Sequence, residues 1–61
     1  MKMKDMIDLA IENYYDCKVW DMNTETIIYN GELKDIPYDI LSMDLMTWEM
    51  LDEGIIQFNV E

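Results

Sequence analysis

Residues 21–32 read DMNTETIIYNGE, and their oxygen-bearing side chains fall at alternate positions. Asp21, Asn23 and Glu25 take the first, third and fifth places, Ile28 the apolar eighth and Glu32 the twelfth, which is how a calcium-binding loop surrounds its ion. Such a loop needs glycine at the sixth place for its sharp bend, where this chain has Thr26, and it needs a helix on each side. Here CKVW leads in and TIIY leads out, both rich in β-branched and aromatic residues. The segment is expected to be a β-hairpin with Asp21 and Glu25 as solvated turn edges, and no metal ion is expected.

Other chemistry is scarce. The chain has no histidine and one cysteine, Cys17, so general acid–base and nucleophilic catalysis lack their usual residues. Ser42 has no base that the sequence nominates, and the carboxylate pair Asp52-Glu53 lies in a turn where solvation is the default. Only two glycines, Gly31 and Gly54, are present, so no phosphate-cradling loop can form, and zinc ligands are wanting. The chain is expected not to be an enzyme and to carry no cofactor. Cys17 sits among strand-like residues and reads as a small buried hydrophobe. A single cysteine permits no internal disulfide and fits a reducing cytosol.

Fourteen acids against four lysines, without arginine or histidine, give a net charge of −10. That surface repels nucleic-acid phosphates and anionic membranes and attracts basic partners. It serves solubility alone, or it forms a surface for a nucleic-acid-binding protein. No apolar run approaches the ~18 residues of a membrane span. Asp5 and Asp8 interrupt the apolar start, so a signal peptide is not expected and a cytoplasmic location in the host cell is.

The elements that would position these groups follow from periodicity. Met3, Met6, Ile7, Ala10 and Ile11 have the spacing of one helical stripe, which predicts an amphipathic helix over residues 2–13, stopped at Asn13. From Tyr14 the pattern turns strand-like, and two strands around Asn23-Thr24-Glu25 predict a hairpin pairing Trp20 with Ile28 and Val19 with Tyr29. No glycine stands at the left-handed position of that turn, where Glu25 falls. Pro37 opens a short helix over residues 37–43, with Asp35 as its cap and Ile36, Ile40 and Leu41 on one face. LMTWEML and IIQFNV then flank Asp52-Glu53-Gly54, a second hairpin in which Met50 faces Ile56, Trp48 faces Phe58 and Met46 faces Val60. Those pairs are expected to form the core. The fold class is α+β, one domain over residues 1–61 with the order α-β-β-α-β-β, one or two short helices and an antiparallel sheet of about four strands.

Two short helices cannot cover both faces of such a sheet. Trp20, Met22 and Ile28 are then left exposed, or buried by a second molecule, or covered by the short helix. A chain of this size buries only about 60% of its unfolded surface, which also favours a partner or a homodimer.

The stretch VWDMNTETIIYNGELKDIPYDIL, with the strand pair after it, resembles a group of very small acidic proteins from phages and mobile elements of Gram-positive bacteria. Their pattern is an N-terminal helix, a strand ending in Asp-x-Asn-Thr, a strand running to Tyr-x-Gly, an Ile-Pro helix start and a final hairpin. Glu25 departs from it, since glycine is common there in that group. The group includes anti-CRISPR proteins and other inhibitors of bacterial defence. The resemblance implies a phage-encoded inhibitor that occupies a surface of a defence protein; the charge of −10 adds the expectation that this surface is basic and nucleic-acid-binding, and that the chain itself binds neither nucleic acid nor membrane. Its expected contact residues are Asp16, Trp20, Asp21, Met22, Glu25 and Ile28, with Trp20 as the apolar anchor. The alternative is an accessory or structural homo-oligomer whose charge serves solubility only.

Overall fold

Met3 and Ala10 are buried, and Met6 and Ile7 pack partly against the same core, so the predicted stripe holds one face of a helix. The computed structural model describes residues 1–61 and places this helix, α1, at Met3–Ala10. The Asp5 carboxylate accepts the backbone N–H of Lys2 at 3.1 Å and ties down the first turn. The helix is shorter than expected and Ile11 is exposed. Asn13 and Tyr14 both donate to the Ala10 carbonyl, and the chain then leaves the helix because Tyr15 N–H must reach the Gly54 carbonyl at 3.0 Å.

Strand β1 (Asp16–Asp21) and strand β2 (Thr26–Glu32) form the first hairpin around a four-residue turn. A 3-10 turn at Leu33–Asp35 and helix α2 (Tyr38–Leu41) follow, then β3 (Leu45–Asp52) and β4 (Ile55–Val60). Pro37 stands at the N-cap of α2, one place earlier than expected, and Asp35 ends the 3-10 turn instead of capping the helix. Ile36 and Ile40 are buried and Leu41 packs beside them, as their shared face requires.

The four strands form one sheet in the order β2-β1-β4-β3. The order of elements is the expected one, but the sheet is mixed: β1 and β4 run parallel, from Asp16↔Ile55 to Asp21↔Val60. These two strands alternate buried apolar residues most cleanly, with Cys17 and Val19 on one and Ile56, Phe58 and Val60 on the other. The centre of the sheet is where such strands bury most. The connection through residues 33–44 carries the chain back along the sheet, so β3 takes the direction of β2 and β4 arrives beside β1.

Both hairpins keep part of their expected register. Val19 pairs with Tyr29, but Trp20 pairs with Ile27, because Ile28 is an extra residue in a bulge. Trp48↔Phe58 and Met50↔Ile56 match the expectation, with Glu49↔Gln57 and Thr47↔Asn59 in the same register. At the ends Leu45 pairs with Val60 and Asp52 with Ile55, leaving Met46 and Leu51 in bulges.

Buried Met3, Ala10, Leu33, Ile36 and Ile40 form a single cluster with Cys17, Val19, Leu45, Ile56, Phe58 and Val60. Both helices therefore cover one face. Trp48 and Met50 do not belong to that core, as they are 51% and 66% exposed. They point to the helix side, opposite Phe58 and Ile56, but on this edge strand only Leu45 joins the buried cluster, and Met50 Sδ meets no more than the Tyr14 hydroxyl at 3.8 Å. Phe58→Ala should cost about 3–5 kcal/mol, comparable to the whole stability of about 3–9 kcal/mol for a chain of this length. Trp48→Ala should cost only about 1 kcal/mol. Urea unfolding of the two variants checks this, and equal losses would refute the edge assignment.

Candidate protein-interaction surface

Side chains of β1 alternate between faces, so Asp16, Lys18 and Trp20 lie on the face away from the helices, opposite to Cys17 and Val19. Register extends this into three rows across the sheet. One end row reads Glu32, Asp16, Ile55 and Asp52; the middle row Asn30, Lys18, Gln57 and Glu49; the far row Ile27, Trp20, Asn59 and Thr47. Neighbours within a row are about 4.8 Å apart along the sheet. Gln57 Nε2 donates to Asn59 Oδ1 and Asn59 Nδ2 to Thr47 Oγ1, each at 2.9 Å, so the polar centre is partly self-satisfied.

The residues expected to bind a partner do not form one patch. Trp20 is half-buried on the helix-free face, between Ile27 and Asn59, so the short helix does not cover it. Asp16 shares that face but stands at the opposite end of β1, with Lys18 between the two. Asp21 pairs with Thr26 and Val60 and falls on the other face. Met22, Glu25 and Ile28 are exposed, the first two in the turn and Ile28 in the bulge.

That turn is built by local hydrogen bonds. Asp21 Oδ1 accepts Asn23 N–H at 2.8 Å, the Asp21 carbonyl accepts Glu25 N–H at 2.8 Å, and the Thr24 and Thr26 hydroxyls lie 2.7 Å apart. Residues 21–32 thus end one strand, turn and form another, and Asp21 spends an oxygen closing the turn rather than pointing into a loop centre. Glu25 has φ 56°, the left-handed conformation that its position in the turn demands. Glu25→Gly should stabilise the chain by about 0.5–1 kcal/mol, since a side chain is strained there. Thermal unfolding reads the gain; a loss would mean that Glu25 makes a contact worth more than the strain.

No acidic residue is buried. Of the fourteen carboxylate side chains, Asp44 pairs with Lys2 at 2.8 Å and Glu32 with Lys34 at 3.3 Å; the other twelve have no cation within ion-pair distance. The Lys2 hydrogen bond and charge hold the Asp44 carboxyl below its ordinary value. The acids do not converge: no group of three or more is arranged to hold a metal ion.

Cys17 is buried beneath the helices, and burial, aided by the Asp16 carboxylate, pushes its thiol up from 9.0 to about 11. Burial also raises the Tyr29 phenol. A thiol is neutral when protonated, so a raised value in the folded state means full stability below pH 9.0 and a progressive loss towards about 11, as the unfolded chain ionises first. Cys17→Ala should flatten that alkaline loss. Urea midpoints across the window test it, and an unchanged slope would show that Cys17 plays no part.

No protein-family model matches the chain, and neither does any curated protein or solved structure. No helix is long and apolar enough to cross a membrane. The exposed apolar side chains of β3, namely Met46, Trp48, Met50 and Leu51, escaped the sequence reading. Their alternation is the same whether a strand is central or at an edge, and only the order of strands distinguishes the two.

Proposed function

We propose that the chain is a non-enzymatic binding protein that occupies a basic, nucleic-acid-binding surface of another protein. The twelve carboxylates without a cationic partner carry this reading. Paired acids would be a structural device; unpaired ones on a small surface form a field that attracts a positive partner and speeds its encounter. Across the helix-free face unpaired Asp16 lies beside Glu32, whose charge Lys34 partly meets, and two strands from unpaired Asp52, so carboxylates recur every ~5–10 Å. That range brackets the spacing of backbone phosphates.

The resemblance to small phage proteins supports the target class, a bacterial defence protein that handles nucleic acid in the host cytoplasm. A second reading is an accessory homo-oligomer, favoured by the exposed apolar side chains on both edge strands: Ile27 and Ile28 on β2, Trp48 and Met50 on β3.

Salt separates the two, because screening weakens charge attraction and leaves apolar association intact. The protein should displace DNA from basic bacterial defence nucleases at about 50 mM salt and lose most of that capacity near 500 mM. Asp16→Lys with Glu25→Lys should weaken displacement several-fold while leaving the fold intact, since neither side chain takes part in the hydrogen bonds of the turn or in an ion pair. Fluorescence anisotropy of labelled DNA reads the effect. Displacement that is indifferent to salt, together with a doubled mass in sedimentation, would favour the oligomer.

A further inference from the structure

The stretch that leads into β3, from Met43 to Leu45, already pairs on its outer side with an extended segment that carries a lysine, this chain's own residues 1–3. Met3 N–H donates to the Met43 carbonyl at 2.9 Å, and Leu45 N–H donates to the Met1 carbonyl at 2.7 Å. Lys2 stands directly opposite Asp44 as an antiparallel bridge, and its ammonium lies 2.8 Å from Asp44 Oδ1. A basic side chain on an added strand thus meets an acid on the edge. The added segment ends where β3 begins its regular run.

Beyond that point the edge is open. On its other side Asp44 exchanges both backbone bonds with Glu61, at 3.3 and 3.0 Å, so its backbone faces β4. The antiparallel ladder alternates, and Met46 is the extra residue of a bulge. Alternation then turns the N–H and C=O of Thr47 and Glu49 towards β4, and those of Trp48 and Met50 outward. The side chains of these same two residues are the exposed apolar pair on the helix side, continuous with buried Phe58 and Ile56. Glu49, between them, faces the other side and has no cation within ion-pair distance.

We infer that the edge of β3 from Trp48 to Met50 is a strand-addition site for an extended segment of a partner protein that reads apolar–basic–apolar. The inference rests on the proposed function in taking the partner to be basic. Backbone bonds to Trp48 and Met50 give affinity, apolar side chains cover the exposed pair, and a lysine or arginine opposite Glu49 repeats the pairing of Lys2 with Asp44. The other edge, β2, is less suited. A bulge at Ile28 breaks its ladder, Tyr29 spends its hydroxyl on the Glu32 carbonyl at 2.7 Å, and Lys34 already meets the Glu32 charge. A second copy of this chain is less suited too. The two-fold register that sets Trp48 against Met50 of the copy sets Glu49 against Glu49, between two chains of net charge −10.

The probe is an acetylated, amidated pentapeptide, threonine–valine–lysine–valine–threonine, titrated into the protein and followed by amide proton exchange in NMR and by Trp48 fluorescence. The Trp48 and Met50 amides should gain protection, and the emission of Trp48 should move to the blue. The peptide with glutamate in place of lysine should bind about three- to five-fold more weakly, and Glu49→Lys should reverse that preference. N-methylation of both valines should abolish binding. The inference is overturned if the Trp48 and Met50 amides stay unprotected while signals elsewhere shift, if the N-methylated peptide binds equally well, or if the free protein sediments as a dimer with those amides already protected. DNA displacement with a silent β3 edge would keep the proposed function and remove this docking site. Peptide addition without DNA displacement would do the reverse.

Discussion

Pairing β1 with β4 is the constraint from which the rest of the structure follows. The two strands supply Cys17, Val19, Ile56, Phe58 and Val60, five of the core side chains, all on one face of adjacent rungs. Once they sit together, β2 and β3 can only lie outside them, and the connection between the hairpins has to run the length of the sheet. That connection brings Leu33, Ile36 and Ile40 onto the face where α1 has placed Met3 and Ala10. One face is then closed, and the other stays bare with a mixture of amides, carboxylates, Lys18 and Trp20.

Local structure was legible in the chain because it is locally encoded. The stripe of α1, the Asn23-Thr24 turn and the left-handed need at Glu25 are all set by neighbours within a few residues. So is the left-handed φ of 75° at Gly54, whereas the Tyr15 ring that packs where its Cβ would stand comes from the far end of the chain. The joining of hairpins is not so encoded. Nothing near Trp48 says that its strand will end up at an edge, so a pair of matched apolar faces read as core when half of it is surface. Bulges at Ile28, Met46 and Leu51 were equally hidden, since an extra residue alters the pairing without altering composition. The candidate site suffered most: Asp16, Trp20 and Asp21 are close in sequence, yet alternation and distance along β1 separate them.

A core of this size tolerates the charge only because every carboxylate stays at the surface. The two ion pairs are half exposed and contribute little to stability individually. Their value is local: Lys2 fixes residues 1–3 beside β3, and Lys34 quiets the acidic end of β2. Cys17 shows the other side of the same economy, a thiol used as an apolar filler and kept protonated by its surroundings.

Every rung of the central pair, from Asp16↔Ile55 to Asp21↔Val60, joins residues 39 apart in sequence. During synthesis the first hairpin therefore emerges with its Cys17 and Val19 face uncovered, and the strand that completes the middle of the sheet is made last of the four. A stable half of the domain is not expected on the way, because the first hairpin and the helices without β4 lack the floor on which they pack. The fold is therefore expected to close only once β4 has been made.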